Sequence, residues 1–114
     1  MMYTTQRSND FLIFDITDLT PAFEMVKLIA NLEDSLRSGA FDIGLSFSCV
    51  PNQESALTGM IVVFSGIVNH WGRKLVLIEK DPLREKRLRN ICDILGVRIC
   101  ESQSLITLPQ SEVA

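Results

Sequence analysis

The sequence predicts a single α/β domain: a mixed, mostly parallel sheet with three main helices. Three observations lead there. Short runs of apolar, β-favouring residues alternate with segments whose apolar positions recur every three or four residues, the pattern of β–α–β units. Two stretches pair a capping residue with proline, Thr20-Pro21 and Asp81-Pro82, as helix starts do. The chain of 114 residues, 46% hydrophobic and 22% charged, suits one core and is too apolar for disorder.

Taken in order, Phe11 to Ile16 follows the polar stretch Gln6 to Asp10 and reads as a strand, paired in a hairpin with Met2 to Thr5. After Thr20-Pro21, the apolar spacing Met25, Ile29, Leu32, Leu36 predicts a helix that stops at Ser38-Gly39. Phe41 to Val50 alternates (Phe41, Ile43, Leu45, Phe47, Cys49) as a strand buried mainly on one face, and Pro51-Asn52 ends it. From about Glu54, the residues Leu57, Met60, Ile61, Phe64, Ile67, Val68 and Trp71 keep a helical period until Gly72, which predicts a largely buried helix. Within it, Gly59, Ser65 and Gly66 are expected to serve close packing of helix on sheet.

Leu75 to Ile78 is a continuous apolar strand of the kind covered on both faces, hence central. Asp81-Pro82 opens a third helix with Leu88, Ile91, Cys92 and Leu95 inward, and Gly96 ends it. Val97 to Cys100 is a last short strand. The expected order is β(β)αβαβαβ over residues 1–101. Residues 102–114 form a tail in which Leu105, Ile106 and Leu108 can build a short packing helix.

Charge and composition narrow the function classes. Residues 1–72 carry three basic and eight acidic side chains, residues 73–98 eight basic and four acidic, within a net charge of −3. A nucleic-acid binder is normally basic overall, so no nucleic-acid partner is expected. The start, MMYTTQRSNDF, lacks the pattern of a secretory signal. The longest mostly apolar stretch, Leu57 to Val68, is too short to cross a bilayer, so the expectation is a cytoplasmic chain without membrane insertion. Cys49, Cys92 and Cys100 show no ligand spacing and read as buried reduced thiols. A single histidine, His70, makes no zinc site, and no metal or cofactor is expected.

Enzyme signatures are missing as patterns. There is no GxGxxG, no GxxxxGK[ST] and no GxSxG. Asp15 and Asp18 hint at a receiver-type acidic pocket, but no aspartate ends the Phe41 to Val50 strand. Trp71 and His70 read as a partly buried ring and a helix-end cap. Arg84, Lys86, Arg87 and Arg89 read as the solvated side of the third helix.

The segment Pro51-Asn52-Gln53-Glu54-Ser55-Ala56-Leu57-Thr58-Gly59 joins a strand's carboxyl end to a buried helix, where α/β folds commonly place functional groups. Here the sequence resembles the STAS (anti-sigma-factor-antagonist) family, whose acidic-Ser-Ser/Thr-Gly-x-Gly signature can be laid on Glu54-Ser55 and Gly59. The stretch HWGRKLVLIEKDPLREKRLRNICDILGV resembles the family's later glycine, strand and proline-started helix, and the element order matches over nearly the whole chain. Ala56 and Leu57 depart from the signature, standing where a small hydroxyl residue and a glycine are expected.

The resemblance implies a regulatory protein–protein interaction module, not an enzyme, acting as an anti-sigma-factor antagonist by partner switching. Its partner is an anti-sigma factor or serine-kinase-like regulator. Ser55 would be the phosphoacceptor, and Asn52, Glu54, Ser55, Thr58 and Gly59 the partner-binding residues. Read without the resemblance, Ser55 is a helix N-cap. Two alternatives stay open: a non-phosphorylated STAS docking subunit of a transporter or signalling assembly, and a small nucleotide-binding protein or enzyme using the same junction.

Overall fold

The computed structural model describes residues 3–17, 22–39, 41–47 and 54–101. The elements are β1 (Tyr3–Ser8), β2 (Phe11–Ile16), α1 (Ala22–Ser38), β3 (Asp42–Ser46), α2 (Glu54–His70), β4 (Leu75–Ile78), α3 (Pro82–Leu95) and β5 (Arg98–Cys100). They form one five-stranded sheet in the order β1-β2-β3-β4-β5. β1 is antiparallel to β2, and every later pairing is parallel. This is the mixed, mostly parallel α/β architecture expected.

The hairpin is longer and tighter than the sequence predicts. Ser8 pairs with Phe11, so only Asn9 and Asp10 turn the chain, and Asn9 takes the left-handed conformation (φ 53) that asparagine tolerates. Polar residues Gln6 to Ser8 belong to β1 because an edge strand needs little apolar cover. β3 is shorter than Phe41 to Val50, running Asp42–Ser46 with Phe47 still buried; Cys49 and Val50 lie outside the described residues. So do Thr20-Pro21 and Leu105, Ile106 and Leu108 of the tail.

Because strand order follows chain order, right-handed crossovers put all three helices on one face. The core shows it: Leu28, Leu32 and Leu36 of α1, Leu57, Ile61, Phe64 and Val68 of α2, and Leu88 and Cys92 of α3 pack with Phe14, Ile43, Leu45, Leu75 and Leu77. The alternate strand residues Ile13, Val76, Ile78 and Cys100 form a second buried cluster on the opposite face. β4 is therefore buried at all four positions, as its continuous apolar run predicts, although the middle of the sheet belongs to β3.

Helix ends follow local chemistry. The Asp81 carboxylate accepts from Leu83 N at 3.0 Å, Pro82 occupies the first turn, and Gly96 closes α3 at φ 72. At the amino ends of the strands, Arg73 Nε donates to the Phe41 carbonyl at 2.8 Å and pairs with Asp42 at 3.3 Å. Nearby, a Cβ at Gly39 would overlap the Phe41 ring, so a larger residue there requires that ring to move.

Candidate functional site: the β3–α2 junction

In a parallel sheet the strand carboxyl ends and the helix amino ends share one rim, which exposes free backbone N–H groups there. The rim here brings together the ends of β2, β3 and β4 and the starts of α2 and α3. Phe47, 3% exposed, is the last described residue of the β3 exit, and Glu54 and Ser55 open α2. Asn52 lies outside the described residues.

The rim is held by an ion pair the sequence does not announce. Glu79, directly after β4, is 6% exposed. Its Oε1 lies 3.5 Å from Arg84 Nη1, and its Oε2 accepts from Asp81 N at 3.1 Å. The same Arg84 Nη1 donates to the Phe47 carbonyl at 3.1 Å, and Glu79 N donates to the Cys100 carbonyl at 2.9 Å. One buried carboxylate and one guanidinium thus tie the ends of β3 and β4 to the first turn of α3, and the Glu79 backbone N–H adds the end of β5. Arg84 had read as a solvated helix cation, but its side chain is only 12% exposed because the end of β3 passes beside it. Arg89 does meet solvent, paired with Glu85.

The other departure concerns α2. Gly59 and Gly66 are exposed, and a Cβ built at either meets nothing within 4 Å, so close packing on the sheet does not explain them. Ser65 is the buried small residue, its hydroxyl accepting from Asn69 at 3.4 Å. Helical spacing puts positions 55, 59, 62 and 66 on one face. That face holds Gly59, Gly66 and Val62, with Val63 alongside; the two valines are 43% and 42% exposed, and no charged residue lies between Glu54 and His70. Thr58 is half-buried beside it. Leu57, which departs from the family signature, is fully buried among core residues, so its bulk points away from the junction's surface.

Elsewhere, Trp71 is 37% exposed, edge-on to His70, with the Arg37 guanidinium 5.8 Å above its ring. Cys92 and Cys100 are free and buried. Burial pushes the Cys92 thiol up to about 11, the Asp93 carboxylate adding to the rise and Arg89 opposing it. Burial likewise raises Cys100, with Arg98 opposing. Among the described residues no three His, Cys, Asp or Glu side chains gather as a metal site, and no helix is long and apolar enough to cross a membrane.

A one-sided helix layer covers a sheet that opens with an antiparallel hairpin, an arrangement consistent with a STAS-like fold. The backbone is similar to the structure of the anti-sigma factor antagonist SpoIIAA in its unphosphorylated form, with a TM-score of 0.67 over 98% of this chain and 99% of that one. Identity between the two is 10%, so the likeness is one of fold. No family model matches the sequence, and no curated protein matches it.

Proposed function

We propose that this protein is a regulatory binding module, an anti-sigma-factor antagonist that works by partner switching through the β3–α2 junction. The observation that carries the reading is the exposed, uncharged, glycine-bearing face of α2 formed by Gly59, Val62 and Gly66. Exposed glycines in a helix cost stability, about 1 kcal/mol each against alanine. A partner backbone approaching closely gives them a use. The SpoIIAA-like fold supports the same role, and the partner is an anti-sigma factor or serine-kinase-like regulator.

Ser55 is the phosphoacceptor in this reading. A phosphate in the first turn of α2 meets backbone N–H groups and the positive end of the helix dipole, and its charge of about −1.5 to −2 sits at the edge of an otherwise uncharged docking face. It is therefore tolerated by the helix and disruptive to a docked partner. Asn52, Glu54, Thr58 and Gly59 complete the contact surface.

Peptide mass spectrometry of the protein recovered from its own cells tests the switch. Phosphate on Ser55, absent from a Ser55→Ala form, together with weakened partner capture by Ser55→Asp, is the expected result. An unmodified Ser55 across growth conditions, with Ser55→Asp binding as well as wild type, would sink the switch. The same α2 face would then serve permanent docking to a larger assembly.

A further inference from the structure

Three helices lie over five strands, and the strand they leave uncovered is β1, which a hairpin rather than a helical crossover joins to β2. A groove of about 880 Å³ runs there between β1 and α1. That volume falls within the range of roughly 300–1,000 Å³ typical of small-molecule sites.

The floor is flat and aromatic. Tyr3 stacks on the fully buried Phe14 with ring centroids 5.9 Å apart at 29°, and Leu12 extends the apolar surface. Asn31 donates from Nδ2 to the Tyr3 hydroxyl, which fixes that ring and leaves the Asn31 carbonyl oxygen to accept. The wall is a ridge of α1 carrying Lys27, Asn31, Ser35 and Ser38. From Lys27 to Ser38 it measures about 16 Å at the usual rise per residue, enough for a fused two-ring ligand.

Charge decides the class of occupant. Asp34 also lines the groove, but its carboxylate is engaged by Arg37 at 3.0 Å. Among the described side chains no carboxylate pairs with Lys27, so its ammonium is open to an anionic group in the groove. A flat ring system satisfies the stacked floor, and one anionic group satisfies Lys27.

We propose that the β1–α1 groove binds a flat aromatic carboxylate, its rings on Tyr3 and Leu12 and its carboxylate at Lys27. The site stands apart from the β3–α2 junction and does not depend on phosphorylation of Ser55.

Titration of 2-naphthoate into the full-length, ¹⁵N-labelled protein tests it. The expected result is one saturable site whose amide shifts centre on Thr5, Leu12, Asn31 and Ser35. Lys27→Gln, or the neutral analogue 2-naphthylmethanol, weakens binding by about fivefold, as loss of one exposed charge pair does. Thr5→Trp, on the exposed edge strand, fills the groove and abolishes binding while the remaining amide spectrum stays native. Shifts centred elsewhere, no saturation at millimolar ligand, or Lys27→Gln and Thr5→Trp proteins that bind as wild type does would each overturn the proposal.

Discussion

Arg84 shows how much one side chain can hold. Removing it leaves the buried Glu79 carboxylate without its guanidinium and strips the Phe47 carbonyl of a donor. Breaking a buried pair from one side costs about 3 kcal/mol, so Arg84→Ala should lower the unfolding free energy by that amount in a urea titration. Arg84→Lys keeps the charge but not the forked reach and should recover only part of the loss. A loss below about 0.5 kcal/mol for Arg84→Ala, the value of an ordinary surface change, would show that the network is dispensable.

Cys92 adds a pH dependence. Its thiol is neutral in the fold up to about 11 but ionises near 9.0 in the unfolded chain. A group whose folded pKa is raised contributes fully below the unfolded pKa and loses that contribution as pH climbs to the folded one. Between about pH 9 and 11 the wild type should therefore lose roughly 2 kcal/mol relative to Cys92→Ala, whose pH profile lacks this step. Parallel profiles from chemical denaturation would refute the shift.

At the scale of elements, α2 makes the next test. Gly59→Ala and Gly66→Ala should each stabilise the protein by about 0.5–1 kcal/mol, since both positions are helical, exposed and open to a Cβ. Gly96→Ala should do the reverse because of its left-handed φ of 72. If Gly59→Ala stabilises the free protein yet weakens partner capture, the glycine belongs to docking; if it leaves capture intact, the α2 face lies outside the interface. Thermal denaturation and a binding assay on the same preparation separate the two.

Elements were largely legible in the sequence because their signals are local. Asp81-Pro82 and Gly96 bound α3 within the span of the helix itself, and the period of Leu57 to Val68 marks α2 over most of its length. Arg84 was not legible: its spacing matches its solvated neighbours, and what draws it inward is the end of β3, which lies 37 residues away along the chain. Gly59 and Gly66 misled for a related reason. A small residue in an apolar helix reads as close packing, and only the position of the sheet shows that both face outward. Of the junction, the residue types and the helix start were readable, whereas the ion pair beneath it was not.

For the molecule as a whole, amide exchange should grade across the sheet. β3 and β4 are flanked on both sides and buried on both faces, so Ile43 to Leu45 and Leu75 to Leu77 should exchange only through global unfolding. β1, an edge strand with four exposed central residues, should open at lower cost. Equal protection in β1 and β3 under native conditions would mean the hairpin is bound into the cooperative unit more tightly than its burial implies.

The unbroken strand order has one more consequence, which concerns synthesis. Each new strand pairs with the one translated just before it, and each crossover helix settles on a surface already present. At any moment only the newest strand has an edge waiting for a partner still to be made, and never for longer than one crossover, which limits the usual hazard of parallel sheets on the ribosome. The emerging chain can be assembled like a scroll, one turn at a time from its first hairpin, with β5 the last to be laid down.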